Sequence, residues 1–100
     1  MQISLQEQIA GLKRETFLRR IAEVSEGDPS RWVPVGLLGQ QMGLAYEDAL
    51  AIADRLRESG FIRRGGGGPL DPPFGPRVHI LPEGLAHLRG EDRERTARAV

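Results

Sequence analysis

The side chains of this chain that could do chemistry are arginines, carboxylates and two histidines. Arg63 and Arg64 stand side by side, and Arg77 follows on the far side of the stretch GGGGPLDPPFGP. A guanidinium offers a rigid fork of donors that matches phosphate oxygens, so three of them around one loop either meet a polyanion or simply keep the strand ends soluble. Glu47, Asp54 and Glu58, together with Ala51, recur at helical spacing and make one acidic face. Such a face is either simply solvated or docks a basic partner; it repels phosphate unless it reads cytosine amino groups. His79 and His87 are the only histidines, and no HExxH arrangement holds them. They read as two ordinary, partly exposed histidines, and a metal would need a carboxylate to join them. GGGGP lacks the Lys-Ser/Thr ending of a phosphate-binding loop, which argues against nucleotide binding. Cysteine is absent, so disulfides, thiol catalysis and cysteine-ligated zinc are excluded. No nucleophile sits with a base, and no pocket is indicated around the carboxylates. The expectation is a protein that is not an enzyme and that carries no metal or cofactor.

The 100 residues fit one domain with a thin core. Apolar residues are 39% and aromatics only 5%, so Leu, Ile, Val and Ala must fill that core. Charge balances at zero, with a pI near 6.7, where dedicated nucleic-acid binders are usually basic. The distribution is less even. Residues 34–60 carry two basic and four acidic groups, and residues 61–80 three basic and one acidic. No apolar run is long enough to span a bilayer, and MQISLQEQIAGLKRE does not read as a signal peptide. The expected location is the cytoplasm.

Residues 5–25 read as a helix, closed by Gly27 in a left-handed turn and by Pro29. This helix has two apolar stripes. Phe17, Leu18, Ile21 and Val24 form one, and Leu5, Ile9 and Leu12 form another that points nearly the opposite way. The second stripe meets either another copy of the chain, as a dimer contact, or its own core. A short strand within residues 30–35 leads into a second helix at 34–42, because Pro34 suits a first helical turn. Gly43 ends it, and residues 46–59 form a third helix with Ala49, Ile52, Ala53 and Leu56 facing inward. Strands are expected at 61–64 and 77–81, joined by a loop too rich in glycine and proline for regular structure. A short helix from Pro82 carries Leu85 and Leu88, and the charged tail from Gly90 is either its extension or a frayed end.

The stretch LLGQQMGLAYEDALAIADRLRESGFIRR, residues 37–64, is the informative one. Two helices meeting at a tight angle need a small residue where their backbones approach, and Gly39 supplies it. The turn between them needs positive φ, which Gly43 supplies. Here the chain resembles the winged helix-turn-helix superfamily, and most closely bacterial regulators of the MarR and PadR type. The likeness extends through Arg55-Leu56-Arg57-Glu58-Ser59-Gly60-Phe61-Ile62, the basic pair Arg63-Arg64, and the run Val78-His79-Ile80-Leu81-Pro82-Glu83-Gly84-Leu85. Leu81 departs from it, since similar proteins often have a capping Thr there. So do the glycine-rich wing and the acidic face of the third helix.

The resemblance implies an α+β fold, a three-helix core with a small antiparallel β wing and a short C-terminal helix. It divides the chain into a helical extension at 1–14, a winged-helix domain at 15–89 and a charged tail at 90–100. It also implies a small transcriptional regulator that binds double-stranded DNA. Arg63, Arg64 and Arg77 would grip the backbone from the wing base, with Tyr46 and Arg57 at the edge of helix three. The alternative is a winged helix used for protein interaction or assembly, in which Glu47, Leu50, Asp54 and Glu58 dock a protein partner. Arg19 and Arg20 are expected either to be solvated or to pair with Glu15 and Glu23 along the first helix.

Overall fold

In the computed structural model, which describes residues 5–65 and 72–99, the chain begins with α1 (Leu5–Ser25). Its C-terminus closes as the glycine and proline foretold. Gly27 has φ of 70° and its N–H donates to the Ala22 carbonyl at 2.9 Å. Glu26 also takes positive φ. Ser25 is buried, and its hydroxyl donates to the Ile21 carbonyl at 2.7 Å, which satisfies the group without a tertiary partner.

A two-residue strand, β1 (Val33–Pro34), leads directly into α2 (Val35–Gln41), followed by α3 (Tyr46–Glu58). The turn between these helices works as its residue types require. Gly43 sits at φ of 74°, and the Leu44 N–H returns to the Gly39 carbonyl at 2.8 Å. A Cβ on Gly39 would lie 2.5 Å from that of Ala49, so only glycine lets α2 and α3 cross this closely. Neither helix start has a side-chain cap. At α2 the backbone of a distant segment stands in. The Val35 and Gly36 N–H groups donate to the carbonyls of Pro76 and Phe74, at 3.0 and 2.7 Å.

Two further strands, β2 (Ile62–Arg64) and β3 (Arg77–Ile80), complete an antiparallel sheet in the order β1-β3-β2. Val33 pairs with Val78, Ile62 with Ile80, Arg63 with His79 and Arg64 with Val78. Residues 66–71, the glycine-rich tip of the expected wing, lie outside the described residues. The architecture is α+β: four helices and a small three-stranded antiparallel sheet.

The core gathers Phe17, Leu18 and Ile21 of α1, Leu38 of α2, and Ala49, Ala53 and Leu56 of α3, against the inner face of the sheet. Ile52, by contrast, is only partly buried. On α1 the expected stripe is corrected at its end: Val24 is 44% exposed, and Ser25 is the residue that turns inward. The other stripe does not fold back over this core, since Leu5 and Leu12 are 71% and 67% exposed. The side chain of Ile9 lies outside the described residues.

The last helix, α4 (Pro82–Ala99), runs on through the charged tail, the first of the two alternatives for that segment. It holds to α1 by polar groups, and this changes one expected pairing. Arg20 does pair with Glu23, at 3.0 Å. Arg19 instead reaches Asp92 of α4 at 3.1 Å, and Glu15 reaches His87 of α4 at 2.6 Å. No helix among the described residues is long and apolar enough to cross a membrane.

Candidate functional site

Strand alternation sorts the basic residues. Neighbouring residues of a strand point to opposite faces of the sheet, and directly paired residues share a face. Val78 and Ile80 are buried in the core, so their partners Val33, Ile62 and Arg64 share the inner face. Arg63, paired with His79, lies on the outer face, as does Arg77. The adjacent arginines Arg63 and Arg64 are thus on opposite sides of the hairpin stem.

On the inner side, Arg64 projects beyond the edge of the core and meets α3. There it lines an open groove of about 230 Å³ with Tyr46, Leu50, Ala53, Asp54, Arg57 and Pro76. Tyr46 is placed by the first turn of α3, where its ring lies against the backbone of Gly75 in the returning segment. Arg57 and Asp54 lie one helical turn apart and pair at 3.6 Å, both well exposed. A pair that long and that wet is worth at most about 1 kcal/mol, so a phosphate can compete for Arg57. The structure therefore brings together Tyr46, Arg57 and Arg64, and places Leu50 and Asp54 of the alternative site among them. Glu47 and Glu58 stand exposed on the outer face of α3, as their spacing indicated.

The outer side of the sheet holds a second cluster that sequence reasoning did not assemble. The Trp32 ring stacks on His79, with centroids 4.2 Å apart and planes within 6° of parallel. His79 is only 8% exposed, which corrects the expectation of a partly exposed side chain. Among the described residues neither ring nitrogen has a hydrogen-bond partner, and burial first, then the Arg63 charge opposite, hold its pKa below the ordinary histidine value. The Pro29 carbonyl opposes this only weakly. Arg77 lines a neighbouring groove with Trp32, Pro34, Phe74 and Gly75, and Trp32 and Phe74 are each 40% exposed. The period-two pattern of residues 77–80 was the signal that could have separated Arg63 from Arg64. Nothing comparable in the sequence places Phe74 beside Trp32.

Arg63, Arg64 and Arg77 have no acidic partner among the described residues, whereas Arg19, Arg20 and Arg57 each have one and Arg31 has two. The sheet is a locally positive element in a chain of zero net charge. His87, on α4, joins neither cluster; its ring stacks on Phe61 at 4.6 Å and its Nε2 faces Glu15.

No family model matches this chain, and no curated protein does either. Among solved structures it is similar to the crystal structure of a probable transcriptional regulator from Pseudomonas aeruginosa, with a TM-score of 0.59 and 24% sequence identity. The match covers 86% of this chain and 61% of that one, so this chain spans less than two thirds of the other's length. The likeness is one of fold.

Proposed function

We propose that this protein is a winged-helix transcriptional regulator that binds double-stranded DNA through α3 and the stem of the β2–β3 hairpin. The observation that carries the reading is the set of arginines without acidic partners on that stem, next to a helix-turn-helix whose α3 is exposed on its outer side. The similar fold of a probable transcriptional regulator supports it, as does the resemblance to MarR- and PadR-type proteins. Arg64, with Arg57 and Tyr46, faces the DNA along the α3 groove. Arg63 and Arg77, on the other face of the thin sheet, reach phosphates on the far side of the wing. These contacts position the protein rather than read bases. The exposed Leu5 and Leu12, with Ile9 between them in the same spacing, form the contact of a homodimer.

The outer face of α3 favours a second reading. Glu47, Asp54 and Glu58 are all exposed, and a helix so armed meets a duplex at an electrostatic disadvantage. In that reading the acidic face, with the half-buried Leu50, docks a basic protein partner. Fluorescence anisotropy with labelled random-sequence duplex, at about 50 mM and about 200 mM salt, separates the two. Non-specific binding that is micromolar at the lower salt and falls steeply at the higher supports DNA. Flat titrations of the folded protein at both salts would leave the protein-interaction reading standing.

A further inference from the structure

We propose that Glu15, His87 and Glu91 form a binding site for a divalent transition-metal ion of the zinc type, which clamps α1 to α4. The three residues each offer one ligand atom, and these atoms all lie within 4.8 Å of one another. Two of the three come from one helix at i, i+4 spacing, where side chains stand on the same face. The third comes across the helix interface from α1. All three are half-buried, between the solvent and the core.

The distances suit the ion. Zinc holds nitrogen and oxygen ligands at about 2.0–2.2 Å, so tetrahedral ligand atoms sit roughly 3.4 Å apart. The His87 Nε2 to Glu15 Oε1 separation of 2.6 Å must open by less than about 1 Å to admit it. The widest pair need close by no more than about 1.4 Å, which side-chain rotation on two fixed helices supplies.

Charge argues the same way. The imidazole can offset at most one of the two carboxylates. One turn further along the same interface, Arg19 is already engaged with Asp92. A dication balances both carboxylates and takes the neutral imidazole as its third ligand, leaving a fourth position for water. Imidazole in the set selects transition metals over magnesium, which prefers oxygen ligands alone. Stacking on Phe61 fixes the plane of the His87 ring before any ion arrives. The consequence is mechanical. A metal ion here ties the long C-terminal helix to α1, and this holds whether or not the protein binds DNA.

The test uses the full chain without an affinity tag, thermally unfolded with zinc chloride and again with a chelator. Saturating zinc is expected to raise Tm by about 5 °C or more, since ligand bound only by the folded state stabilises it. Calorimetric titration should give one ion per chain, and magnesium should give no shift. His87→Ala removes a ligand together with the pair to Glu15, so each variant is compared with itself with and without metal. Glu91→Gln leaves that pair intact and should weaken zinc binding by roughly tenfold or more. Three results would overturn the proposal: no zinc-dependent shift in the parent protein, an equal shift in Glu91→Gln, or one ion shared between two chains.

Discussion

Arg63 and Arg64 are neighbours in the chain but project from opposite faces of the sheet, and this makes their separate removal informative. A phosphate contact by a cation releases counterions from the duplex, so log K falls with log salt at a slope of about −0.9 for each contact. If Arg57, Arg63, Arg64 and Arg77 each hold one phosphate, the slope is about −3.6. A fourfold rise in salt then weakens binding roughly 150-fold. Removing both Arg63 and Arg64 as alanines should bring the slope to about −1.8, and the same rise in salt then costs only about 12-fold. Each single variant should account for half of the change, because a wing that enters a groove has a phosphate strand on both sides. Neither side chain packs in the core or has an acidic partner among the described residues, so stability should hardly move. The assay is anisotropy of a labelled duplex across a salt series, with thermal unfolding of each variant alongside. A double variant with the parental slope would remove the hairpin stem from the footprint. A change confined to Arg64→Ala would place the duplex on the α3 side alone.

Other consequences are open to simpler measurements. Ile9→Asp should convert a dimer to a monomer by light scattering, and an unchanged mass would take the Leu5–Ile9–Leu12 stripe out of the contact. Gly39→Ala forces two Cβ atoms together at 2.5 Å with no flexible end to yield. Overpacking costs about 1–3 kcal/mol, and the better helix propensity of alanine returns up to about 1. A net loss of roughly 1–2 kcal/mol in urea unfolding is expected; no loss would mean that α2 and α3 cross further apart. Burial, then the charge of Arg63, lowers the His79 pKa in the fold, so as pH falls the unfolded chain takes up this proton more readily than the native state does. Stability is therefore full above the ordinary histidine value of 6.5 and is lost as pH falls through it. His79→Phe keeps a ring against Trp32, so it should raise Tm at neutral pH and flatten the decline toward about pH 5. An unaltered pH profile in that variant would assign the acid sensitivity to other groups.

Much of this molecule was legible residue by residue, because local chemistry dictated it. Gly27 and Pro29 ended α1, Gly43 made the turn before α3, and Gly39 marked the helix crossing. Ala49, Ala53 and Leu56, at helical spacing, identified the buried face of α3, and the acidic residues identified the exposed one. These are properties of a single segment, and the backbone dihedrals and side-chain periodicity that produce them act within a few residues. Other features depended on which segments meet. Register across the sheet put Arg64 with α3 and set Arg63 opposite His79. The carbonyls of Pro76 and Phe74 cap α2 from the far end of a loop, so no capping side chain was there to be read. Burial of His79 beneath Trp32 and the meeting of Glu15 with His87 join positions far apart in the chain. A sequence records which groups are available to pair. Which of them do so is decided by the packing that brings distant backbones within a few ångströms, and for this protein that packing set Arg19 against Asp92 and Glu15 against His87.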